Sequence, residues 1–125
     1  MNIRENEDGP YSVYLTDEEM LLMSSIIGHS YSGGDWWRVL PEDYEGKFGI
    51  TYERGKKMCS LMRAQWKERR SDVPIVLTKT ELHAVVKIIE HIMEKLDEND
   101  FPTLINGTSR PEAAVLLEQF QKAGF

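Results

Sequence analysis

The sequence predicts an α+β domain that is mainly helical, and three observations carry that expectation. A phrase recurs at constant offset: residues Val13 to Met20, followed by Ile26-Ile27-Gly28-His29, return as Ile75 to Leu82, followed by Ile88-Ile89-Glu90-His91. Each copy joins a short β-prone run to the Thr-x-x-Glu grammar of a helix start. Most of the remaining apolar residues recur at helical spacing rather than in alternation.

Taken in order, Asn2 to Asp8 are polar and acidic, and residues 1–10 are expected to be loosely ordered. An extended segment over 11–15 then leads into a helix over 16–29. Thr16 can accept from the N–H three residues on while Glu19 reaches back, and Leu15 can meet Met20 as a hydrophobic staple. That first helix carries Leu21 and Leu22 as well as Met20, Met23 and Ile27, so it is apolar nearly all round. Such a helix is either central to its domain or covered by another chain.

Residues 30–46 combine Gly33-Gly34 and Pro41 with several aromatics, which predicts a long loop. Loops of that length in compact domains usually carry function. Phe48, Ile50 and Tyr52 alternate as a short extended segment over 48–52. A helix over 53–70 follows, with Met58, Leu61, Met62 and Trp66 on one face and Thr51 as a possible cap.

The second copy repeats the grammar. A segment over 73–77 enters a helix over 79–97 through Thr78 and Glu81, with Leu77 and Leu82 as the staple. Leu82, Val85, Val86, Ile89, Ile92, Met93 and Leu96 form its apolar stripe. Turns are expected around Phe101-Pro102 and Asn106-Gly107. A third capping box, Ser109 with Glu112, opens a helix over 110–123 that Gly124 ends. The two repeat strands are expected to pair and their helices to pack side by side under an approximate two-fold, with two further helices completing the domain.

At 125 residues the chain is sized for one domain, 1–125, whose internal repeat spans 13–29 and 75–91. Its first residues lack an apolar signal region, no apolar run is long enough to span a membrane, and its one cysteine cannot form an internal disulfide. Those features point to a cytoplasmic protein. The net charge of −6 is unevenly spread. Residues 1–52 carry ten acids and three bases, residues 53–70 two acids and seven bases, and residues 71–125 nine acids and five bases.

No nucleophile elbow, phosphate loop, dinucleotide fingerprint or metal-ligand spacing occurs, so no catalytic residue, cofactor or metal is assigned. His29 and His91 occupy matching positions near helix C-termini, where a partly cationic imidazole complements the dipole. Cys59 reads as a small buried hydrophobe. The leading expectation is a small non-enzymatic regulator, inhibitor or adaptor acting by protein–protein contact, probed at Tyr31, Asp35, Trp36, Trp37 and Arg38 and at Leu21 and Leu22. Aromatic and guanidinium groups are the types enriched at interface hot spots. Two indoles adjacent on an extended backbone point to opposite sides, which puts at least one near the surface. A homodimer through Leu21 and Leu22 or through the tryptophan loop belongs to that expectation.

The alternative is a nucleic-acid-binding protein using Lys56, Arg63, Lys67 and Arg70, a basic stripe at helical spacing. The same stripe can instead pair with acids such as Glu42, Asp43 and Glu45. A second alternative is a small-molecule enzyme or sensor with a pocket near Asp35, Arg38 or the histidines. The most direct test at this level concerns the caps: Thr16→Ala or Thr78→Ala should each lower unfolding free energy by about 1 kcal/mol in urea denaturation.

Overall fold

Both capped units form. In the computed structural model, which describes residues 1–105 and 108–125, the Thr16 hydroxyl accepts from the Glu19 N–H at 3.1 Å and the Glu19 carboxylate accepts from the Thr16 N–H at 2.9 Å. The Thr78–Glu81 pair repeats this at 3.1 and 2.8 Å. The staple residues Leu15, Met20, Leu77 and Leu82 are all buried.

The chain runs β1 (Asn2–Glu5), β2 (Tyr11–Tyr14), α1 (Asp17–Ser32), α2 (Pro41–Phe48), α3 (Tyr52–Lys67), β3 (Ile75–Leu77), α4 (Lys79–Lys95), α5 (Asp100–Leu104) and α6 (Arg110–Lys122). It is α+β and mainly helical. The strands form one antiparallel sheet in the order β1-β2-β3. In the β2–β3 pair Val13 faces Ile75, Ser12 faces Val76 and Tyr11 faces Leu77. The helices that follow these strands, α1 and α4, pack against each other.

Helix α1 takes the centre. Met20, Leu22, Met23, Ile26 and Ile27 are buried, and α3 and α4 both pack on it. Small groups let α3 approach closely: a Cβ placed on Gly28 would lie 3.5 Å from the Cys59 sulfur. Cys59 itself is buried and donates to the Ser24 carbonyl at 3.2 Å, the packing role expected of it. Most of the apolar bulk of α1 is thus covered by its own chain, with Leu21 left partly exposed.

Four expectations are corrected. The first residues are ordered: β1 pairs with β2, Ile3 opposite Val13, and the Asn6 side chain bonds the Ser12 hydroxyl at 3.0 Å across the turn. Helix α2 stands where a loop was expected, with Pro41 at its start, Glu42 and Asp43 in its first turn, and Gly49 ending it at φ 86°. Pro supplies no N–H there and needs none. The alternation Phe48, Ile50, Tyr52 is accordingly no strand; it spans the end of α2, a turn and the start of α3. Phe101-Pro102 lies in α5, again with proline in a first turn, while the turn expected at Asn106-Gly107 lies outside the described residues.

Helix ends also differ. α3 stops at Lys67, where Arg69 takes φ 55° and the Arg70 N–H reaches back to the Gln65 carbonyl at 2.9 Å, a Schellman closure without glycine. Ser109 caps α6, but the Glu112 carboxylate accepts from the Ser109 hydroxyl at 3.3 Å and not from its backbone N–H, so only half of the third box forms.

Tyr44 and Phe48 on α2 plug the core. The Tyr44 hydroxyl sits 2.7 Å from the Ser30 hydroxyl, and burial pushes its phenol up to about 12. It also rests against α3, where a Cβ on Gly55 would come within 2.6 Å of it. Gly55→Ala should therefore destabilise the protein by about 1–3 kcal/mol despite alanine's better helix propensity. Gly46→Ala, in α2 with nothing within 4 Å, should stabilise it by about 0.5–1 kcal/mol. Urea unfolding of the two variants, giving opposite signs, checks both.

Candidate functional site

The segment that leaves α1 turns sharply at Gly33-Gly34, because the Trp37 ring occupies the space a side chain would need. A Cβ on Gly33 would fall 1.5 Å from the indole nitrogen, and one on Gly34 would fall 2.4 Å from the far ring edge. The turn closes through Trp37 and Arg38 N–H groups to the Gly34 carbonyl at 3.1 and 3.0 Å, and Val39 N–H to the Ser30 carbonyl at 2.7 Å. Trp37 is thereby pulled inward, only 7% exposed.

Trp36 goes the other way. It is 62% exposed, the largest exposure among the large hydrophobic residues, and its ring meets Trp37 edge-on at 4.3 Å between centroids. Its N–H reaches the Lys95 carbonyl at 3.4 Å, at the end of α4. Asp35 and Arg38 flank it as an exposed ion pair at 3.5 Å, and Leu40, a few residues on, is also exposed. The adjacent indoles thus divide between core and surface.

The structure brings Asp35, Trp36 and Arg38 together at the surface with Trp37 buried beneath them, and places Tyr31, Leu21 and Leu22 elsewhere. Tyr31 lies in the last turn of α1, half-buried and edge-on to Tyr52 at 5.8 Å. Burial, followed by a hydrogen bond with Cys59, raises its phenol well above the ordinary tyrosine range. Trp37 is a core residue. Leu22 is buried as well, and Leu21 is only partly exposed, so the pair is not the open apolar face that the sequence suggests.

The histidines hold this segment in place. His91 on α4 bonds the Trp37 carbonyl through Nε2 at 2.6 Å, while His29 on α1 bonds the Leu104 carbonyl through Nε2 at 2.6 Å. Each histidine ties down the segment that follows the other's helix. Desolvation lowers both imidazole pKa values, outweighing the opposing carbonyl bonds, and nearby cations (Arg63 for His29, Lys47 and Lys95 for His91) push the same way. The expected cationic role at the helix dipole is replaced by a neutral imidazole clamping a carbonyl.

The basic stripe is exposed but broken. Lys56 rests over the Tyr52 ring at 5.3 Å, Arg63 lies against Gly28 of α1, and Arg63 and Lys67 line a hollow of about 210 Å³ with Leu21 and Trp66. Arg70 falls beyond the helix and faces Asp72 at 3.8 Å, and Arg69 faces Asp17 at 3.7 Å. Among the described residues none of the four stripe residues makes an ion pair with Glu42, Asp43 or Glu45. The helix pairs instead through its inner edge, where Arg54 meets the buried Glu81. Burial raises the Glu81 carboxyl, but Arg54 and the Thr78 N–H outweigh it and hold it below the ordinary range.

A second hollow, of about 260 Å³, was not anticipated. Leu22, Val115 and Leu116 form its apolar surface, with Glu18, Glu19 and Glu112 at its rim. Glu18 and Glu19 in the first turn of α1 and Glu112 in the first turn of α6 thus wall a groove between these helices. Among the described residues no group of three His, Cys, Asp or Glu side chains is placed to hold a metal, and no helix is long and apolar enough to cross a membrane. No protein-family model, curated protein or solved structure matches the chain.

The lowered imidazoles fix the sign of a pH effect. Below the ordinary histidine pKa of about 6.5 the unfolded chain takes up protons that the folded chain resists, so stability falls as pH drops through that value. The loss should continue until the folded histidines protonate in turn. Urea midpoints measured from about pH 7.5 down to about pH 5 should show this decline. The paired variant His29→Gln with His91→Gln should flatten it; an unchanged slope would exclude the clamps as its source.

Proposed function

We propose that this chain is a non-enzymatic cytoplasmic binding protein that acts by protein–protein contact, with Trp36 as its anchor. The observation that carries this reading is an indole 62% exposed yet mounted edge-on upon a buried one. An exposed indole on a mobile loop would lose much of its binding energy to ordering. Here the Gly33-Gly34 turn, the His91–Trp37 clamp and the Trp37 seat have met that cost during folding.

A partner of matching chemistry presents an apolar slot for one indole, with a cation and an anion placed for Asp35 and Arg38. Charged rims of this kind set register and encounter rate more than affinity. The internal repeat belongs to the same reading as scaffold. An approximate two-fold between the units is supported by Val13 and Ile75, equivalent positions that face each other across β2 and β3.

The two tryptophans should separate stability from binding. Trp37→Ala empties a core position and should cost about 3–5 kcal/mol of unfolding free energy. Trp36→Ala should cost about 1 kcal/mol, the worth of one aromatic edge contact. Captured from host lysate, the partner should bind the Trp36→Ala protein more weakly by about 2 kcal/mol or more. Equal capture by wild type and a folded Trp36→Ala variant would remove the anchor.

A further inference from the structure

We propose that the outward face of α1, with the hollow on either side of it, is a self-complementary surface that takes a second copy of this chain. Consecutive residues on a helix point about 100° apart. Leu21 opens toward α3, into the hollow shared with Arg63, Trp66 and Lys67. Leu22 opens toward α6, at the floor of the hollow rimmed by Glu18, Glu19 and Glu112. Both hollows are apolar at the bottom. One is walled by cations and the other by carboxylates.

Charge complementarity selects the occupant. The basic wall of one copy finds its complement in the acidic wall of another, and because both walls border the same helix, one two-fold axis crossing α1 makes both contacts together. That isologous arrangement closes at two subunits. The charges it requires are open: Arg63, Lys67 and Glu18 make no ion pair among the described residues, whereas Arg69 is engaged with Asp17 and Glu19 with the Met1 amine. Trp66, partly exposed, and Val115, 55% exposed, supply the apolar centre that such an interface buries. This surface is independent of Trp36.

Size exclusion with light scattering on the full chain at about 100 µM, where a dimer of micromolar affinity is near saturation, should give twice the chain mass. Raising salt should lower it. Arg63→Glu with Lys67→Glu makes both walls acidic, and Glu18→Lys with Glu112→Lys makes both basic. Each variant alone should self-associate on the order of 100-fold more weakly, through like-charge contact. An equimolar mixture of the two should recover a dimer, since each wall again meets its opposite. Glu112 lies in the first turn of α6, so Glu18→Lys with Gln119→Lys, which sets two lysines against Glu19 and Glu112 and neutralises the acidic wall, serves as a second variant, with circular dichroism confirming that each chain folds. Trp36→Ala should leave the dimer intact. A wild-type monomer at that concentration, growth beyond two copies, self-association of either folded reversed variant as tight as that of the wild type, or no association in the mixture overturns the proposal.

Discussion

A helix that is apolar on nearly every side must be enclosed on nearly every side, and in this chain that requirement falls on α1. Its burial is what the other elements supply. α3 covers one flank across Gly28 and Cys59, α4 covers another, and Tyr44 of α2 closes the end near Ser30. Buried serine hydroxyls inside this shell find partners on their own helix: the Ser24 hydroxyl donates to the Leu21 carbonyl at 3.0 Å, and the Ser30 hydroxyl donates to the Ile27 carbonyl. Hydroxyls that turn back onto their own helix let small residues line a crowded seam without leaving donors unmade. The close approach of α3 depends on that choice, because larger side chains at these positions would hold the helices apart.

Enclosure also explains how the two capped units cooperate. Each cap aims a helix from its strand, and each cap glutamate does further work: Glu81 meets Arg54 from α3 while still accepting from the Thr78 N–H, so the start of α4 is fastened to the flank of α3. At the other ends the histidines make the reciprocal links, His91 to the Trp37 carbonyl and His29 to the Leu104 carbonyl. Neutral imidazoles suit this task because a buried cation would carry a desolvation penalty that one carbonyl does not repay. The posture of Trp36 follows from these links, since it stands on the residue whose carbonyl His91 holds.

What the sequence made legible and what it hid divide along a physical line. Capping boxes are local, made within four residues, and both repeats announced theirs correctly; the β2–β3 pairing followed from two matching apolar runs. Helix α2 was hidden by its composition. Gly46 and Pro41 read as loop signals, although Pro41 stands at a helix start and Gly49, not Gly46, ends the helix. The deciding fact is the burial of Tyr44 and Phe48, a tertiary contact that propensity cannot supply. β1 was hidden for a similar reason: Asn2, Arg4 and Glu5 are exposed on an edge strand, so its pattern lacks a strong apolar signal. The split between Trp36 and Trp37 was legible as a divergence, but which indole turned inward was decided by the glycines beside Trp37. The histidines were legible as a matched pair, whereas their carbonyl partners lie 75 and 54 residues away in sequence and left no local trace.

The places where the two units differ bear most directly on function. In the second unit the position matching Leu21 is His83, and its ring lies 5.5 Å from Phe125, which folds back after Gly124 and also meets Tyr11 at 5.2 Å. The C-terminal turn thus caps that face of α4. The matching face of α1 has no such lid among the described residues, and Leu21 and Leu22 line hollows walled by opposite charges. The C-terminal turn therefore covers this face of α4, while Leu21, at the corresponding sequence position on α1, stays partly exposed. The Trp36 segment has the same asymmetry, since the segment after α1 carries an exposed indole while the segment after α4 buries Phe101. Stability accounts for the features the units share. Trp36, 62% exposed, and Val115, 55% exposed beside the bipolar face of α1, leave apolar surface in water, and that is where the proposed recognition would act.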